Sequence, residues 1–73
     1  MLTVSGRVLS VRKFPASERG PEMNMVNVEG LTINIGGGLV PQYGQTITAE
    51  VIANPYRDKV QYLVAQWSEV KGG

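Results

Sequence analysis

An all-β fold is predicted by three features of this 73-residue chain. Apolar and polar residues alternate with period two in five separate segments, the pattern of half-buried strands. Clusters of Gly, Pro, Asn and Asp punctuate those segments at Pro15–Pro21, Gly36–Gly38 and Asn54–Asp58. The Leu39–Gly44 connection is too short for a substantial helix.

The first strand spans about Leu2 to Phe14. Leu2, Val4 and Val8 share a face opposite Thr3, Ser5 and Arg7, with Gly6 in an inward place. After Val8 the phase slips, because Leu9 and Val11 are now the apolar positions, so this strand is bulged and bent. The charged, Pro-flanked segment Pro15–Pro21 is a loop. A second strand follows at about Glu22 to Val28, with Met23, Met25 and Asn27 opposite Asn24, Val26 and Val28. Glu29-Gly30 turns the chain into a third strand, Leu31–Ile35, with Leu31, Ile33 and Ile35 on one face.

Gly36-Gly37-Gly38 is followed by neither a helix pattern nor a lysine, so it reads as a link or a close backbone crossing rather than a phosphate cradle. The fourth strand covers about Gln45 to Ala53, and Asn54-Pro55-Tyr56-Arg57-Asp58 is a turn. The fifth runs from about Lys59 to Val70, with Gln61, Leu63, Ala65 and Trp67 opposite Val60, Tyr62, Val64 and Gln66. Trp67 is expected in the core, Tyr43 as a plug for the barrel's end, and residues 71–73 as a disordered tail. The whole chain forms one domain.

Composition narrows the chemistry. Without cysteine or histidine the chain lacks disulfides, thiolate metal sites and the commonest general base. The six acidic residues are scattered and form no hydrolytic pair. The expectation is a non-enzyme with no metal and no cofactor. No apolar run reaches the roughly 20 residues of a membrane span, and Met1–Arg7 does not read as a signal peptide. A cytoplasmic setting is expected, the host cytoplasm if the source is viral. A small unstapled core favours self-association, so a homodimer or larger oligomer is expected.

The bent first strand, Val4-Ser5-Gly6-Arg7-Val8-Leu9-Ser10-Val11-Arg12, resembles the opening strand of oligonucleotide/oligosaccharide-binding (OB) domains. Gly44-Gln45-Thr46-Ile47-Thr48-Ala49-Glu50-Val51 resembles the strand after their central connection. The resemblance implies a five-stranded Greek-key barrel, with an SH3-like barrel as the alternative. It is closest in kind to the small single-stranded DNA-binding proteins of bacteriophages. A role in phage or plasmid DNA replication follows from the resemblance.

A net charge of only +1 does not by itself announce a nucleic-acid binder, but the cations are clustered. Arg7, Arg12, Lys13 and Arg19 lie on the first strand and its loop, and Arg57 and Lys59 on the last hairpin. In an OB barrel those two loops flank one binding face. Phe14, Tyr56 and Tyr62 are the candidate stacking platforms beside these cations, the combination a single strand needs for base and phosphate. Single-stranded nucleic acid is the expected partner, DNA ahead of RNA. An RNA-binding OB domain and a non-catalytic interaction or structural module, the latter adding a partner strand to an exposed sheet edge, remain alternatives.

Overall fold

The computed structural model describes residues 1–71, apart from the Tyr56 side chain. The tail expected at Gly72 and Gly73 lies outside the described residues, and Lys71 is exposed. Five strands form, β1 (Leu2–Phe14), β2 (Met23–Val28), β3 (Leu31–Gly36), β4 (Thr46–Tyr56) and β5 (Lys59–Glu69). They close into a barrel in the order β1-β2-β3-β5-β4. Every pairing is antiparallel except β3 with β5.

β1 serves two neighbours because it bends. Leu2 to Arg7 pair with β4, and Val8 to Phe14 pair with β2, with a register irregularity between Val8 and Ser10. Leu9 is the extra residue, and it is exposed. The handover is secured by Val8 N–H donating to Gln45 O (2.8 Å) and Gly44 N–H donating to Val8 O (2.9 Å). The sequence-based phase slip after Val8 therefore corresponds to a bulge.

Glu29-Gly30 closes the β2–β3 hairpin with φ of 49° and 100°. A two-residue loop with both φ positive matches the right-handed twist of its strands. Glu29 is an unusual residue at such a site, and its side chain explains it. The carboxylate accepts from Arg7 N–H at 2.8 Å, tying the turn to the bend of β1. It also lies over Gly6, where an added Cβ would collide with the carboxylate and come within 3.1 Å of Val28 Cγ1. Gly6→Ala should accordingly cost about 1–3 kcal/mol, read as a lowered midpoint in a urea melt. A variant as stable as the parent would show that the Glu29 contact is dispensable.

The core is Val8, Val26, Val28, Ile33, Ile35, Ile47, Ala49 and Val51, nearly all β-branched residues that pack well on a pleated surface. Asn24 is buried among them, and its Nδ2 donates to Ile35 O (3.3 Å) and Gly36 O (3.4 Å), which removes the cost of burying an unpaired amide.

Three expectations need correction. On β5, Trp67 does not share a face with Leu63 and Ala65. The register breaks opposite Glu50/Val51, where Val64 pairs with Val51 and Gln66 with Glu50, so Ala65 is an extra residue. That bulge returns Trp67 to the side of Val64 and Tyr62, all three packing half-buried against the core. The indole N–H donates to Leu39 O at 3.2 Å. Tyr43 does not plug the barrel, being 75% exposed. Pro41 is the buried residue of that connection, with Val40 packed on the core.

Thirdly, the turn expected over Asn54–Asp58 is only Arg57-Asp58, with Arg57 at φ 59°. Strand pairing continues from Ile52↔Leu63 to Tyr56↔Lys59, whereas β1 leaves β4 at Leu2↔Val51. The result is a two-stranded ribbon projecting beyond the barrel. Pro55 sits inside β4 without loss. Gln45 O faces β1 and Thr46 O faces β5, so by alternation the Pro55 nitrogen faces the vacant edge, where no ladder bond is needed.

Candidate nucleic-acid interface

Cross-strand partners in an antiparallel sheet project to the same side. The registers of β1, β2 and β3 therefore set three rows on the outer face, Ser10–Asn27–Thr32, Arg12–Met25–Asn34 and Phe14–Met23–Gly36. The inward residues between them are Val26 and Ile33, both fully buried, which fixes the outer identity of the rows. Phe14 is 40% exposed, and the Arg12 guanidinium stands 5.3 Å from its ring centre. That is within cation–π range. An aromatic face and a positive charge thus occupy one spot at the end of β1.

Across the same face, β3 meets β5 at Asn34↔Leu63. Asn34 Nδ2 adds a bond to Tyr62 O at 3.3 Å. Between the strands runs a groove of about 220 Å³, lined by Met25, Thr32, Asn34, Lys59, Val60 and Gln61. Arg12 is the cross-strand neighbour of Met25 on one side, Phe14 lies one row further along β1, and the ribbon forms the opposite wall. Two larger hollows, about 310 and 460 Å³, lie around Trp67. Neither has a Lys or Arg in its lining, so a polyanion would meet no counter-charge there.

Of the residues singled out from sequence, Arg12, Phe14 and Lys59 are gathered on this face. Arg19 is exposed in the β1–β2 loop, whose tip is pinned by mutual Ser17–Gly20 backbone bonds and by Arg19 N–H donating to Ser17 Oγ (3.2 Å). Arg57 is exposed at the ribbon tip. The Tyr56 backbone lies in β4 beside it, and its side chain lies outside the described residues.

Three residues fall elsewhere. Arg7 precedes the bulge and pairs with Thr46 of β4, near Glu29 and Gly44, so it does not join Arg12. Lys13 is in register with buried Asn24, on the side opposite Arg12 and Phe14, and its Nζ pairs with Glu22 at 2.9 Å. Tyr62 packs half-buried against the core rather than presenting an open ring. Strand alternation and the bend of β1 separate cations that the linear sequence had grouped.

Met25, Asn27, Thr32, Asn34 and Gln61 were not singled out from sequence. Their signal was present as the outward positions of β2 and β3 and, for Gln61, of β5. Clustered charge and aromatic rings drew attention away from carboxamides and thioethers. The chain matches no protein-family model, no curated protein and no solved structure.

Proposed function

We propose that this domain binds single-stranded nucleic acid on the outer face of β1–β2–β3, and that its barrel is of the OB type. The strand order β1-β2-β3-β5-β4 with β3 parallel to β5 supports the fold assignment. The observation that carries the function is the exposed Phe14 ring under the Arg12 guanidinium, on the same outer face as a groove lined by Lys59. A base stacks on Phe14, Arg12 and Lys59 take phosphates, and the loops bearing Arg19 and Arg57 extend the positive track. The resemblance to phage proteins places DNA ahead of RNA.

The β4 edge gives little support to a strand-adding interaction module. Beyond Leu2↔Val51, alternation leaves only Ala53 and the carbonyl of Pro55 to bond outward, and a short edge carrying proline is a poor template.

Anisotropy of a labelled oligo-dT of about 15 nucleotides, a length near the upper end of OB site sizes, tests the proposal across a salt series. Binding should weaken as salt rises. Arg12→Ala and Lys59→Ala should each flatten the log–log slope by about 0.7, the increment for one single-strand phosphate contact. Lys13→Ala should leave the slope unchanged, because that cation points away and is held by Glu22. Flat traces at low salt with both oligo-dT and oligo-rU would exclude the function.

A further inference from the structure

Resting on the single-strand-binding reading, we propose that the groove between β3 and the ribbon holds one base by its edge and selects thymine or uracil through Asn34.

The orientation of the Asn34 amide is set by the barrel. Its Nδ2 donates to Tyr62 O, an acceptor that only the NH₂ end can satisfy. Oδ1 is left as the free pole, and among the described residues none donates to it. Asn34 is half-buried in the lining of the groove, so this acceptor is held in place before a ligand arrives. The Lys59 ammonium, the Gln61 amide and the Thr32 hydroxyl line the same groove and can donate beside it. Asn27, the cross-strand neighbour of Thr32, is oriented as well. Its Oδ1 accepts from Gly30 N–H at 2.8 Å, which leaves its NH₂ as a further donor on that face.

An acceptor with donors beside it fits the edge of thymine and uracil. Thymine and uracil carry the N3–H donor between two carbonyl acceptors. Cytosine and adenine have an unprotonated ring nitrogen where that donor stands. They offer Oδ1 a donor only from the exocyclic amine at the end of the Watson–Crick edge, so the base would have to shift along the groove. Guanine has an N1–H, but it sets an amine on one side where donors already stand. Stacking on Phe14 tolerates any base, so discrimination is confined to the groove.

The test changes the ligand first and leaves the protein intact. Oligo-dT, oligo-dT methylated at N3, and oligo-dC of equal length are compared by anisotropy with the unmodified protein. N3-methylation keeps the ring face and every phosphate while removing the donor. The methylated strand and oligo-dC should each bind about tenfold more weakly than oligo-dT, the scale of one desolvated hydrogen bond left unmade. Asn34→Leu should bring all three strands to within about twofold of one another, without altering the salt slope. Equal affinity for methylated and unmethylated oligo-dT, or for oligo-dC and oligo-dT, overturns the selection and leaves single-strand binding standing. An undiminished preference in a folded Asn34→Leu variant removes Asn34 as its source. Failure of every strand to bind removes both readings.

Discussion

Replacing Phe14 with alanine should weaken oligo-dT binding by about 1–3 kcal/mol, a loss of roughly five- to 150-fold, the range for one stacked base. The ring stands at the end of β1, 40% exposed, with Met23 as its cross-strand neighbour and the Arg12 guanidinium above it. Removing it deletes the stacking surface and also the group that orients the guanidinium, itself worth about 0.5–1 kcal/mol at an exposed site. Phe14 lies outside the core cluster, so the melting temperature should move only slightly. Phe14→Tyr should retain most of the affinity, because the face of the ring is kept. A Phe14→Ala variant that loses stability but not affinity would make the ring a cap on the sheet.

Ile33→Ala should produce the largest loss of stability, about 2–5 kcal/mol. Ile33 is fully buried on β3 and stands opposite Val26, also fully buried. At a typical 0.05–0.15 kcal/mol per residue, a domain of this length is stable by about 4–11 kcal/mol, so the change removes a large share of the total. The expected fall in melting temperature is roughly 10–25 °C. Thermal and urea melts followed by circular dichroism read the loss, with an unchanged urea m-value showing that the unfolded reference is the same. A loss below about 1 kcal/mol would mean that the barrel collapses readily around the gap. Because Ile33 points inward between Thr32 and Asn34, any variant population that remains folded should still bind oligo-dT.

These two positions also mark what was legible in the sequence. Period-two alternation along β2 and β3 sorted Val26 with Val28 and Ile33 with Ile35 onto one face of each strand, and the slip after Val8 identified the bent first strand. Glu29-Gly30 announced its own turn. Each of these signals is local, because inward or outward identity needs only the strand period and tight turns need only two residues. All five strands were visible for that reason.

The site was legible only in part. Arg12 and Phe14 were found because charge and aromaticity are properties of single residues. Arg7 is separated from them because it lies before the bend, where β1 meets β4 and not β2, and Lys13 because it stands between them in a period-two strand. On β5 a bulge at Ala65, set by pairing with β4, moved Trp67 onto the core side with Tyr62. Pro55 reads as a breaker in isolation, and it became a strand residue because its nitrogen faces an edge that β1 leaves vacant. By itself the sequence determined that this protein is an all-β domain, and which residues of β3 and β4 share a face. Tertiary structure alone decided which cations share a face, where the ribbon stands and how Asn34 is oriented, because register and bulges are set by strands distant in the chain.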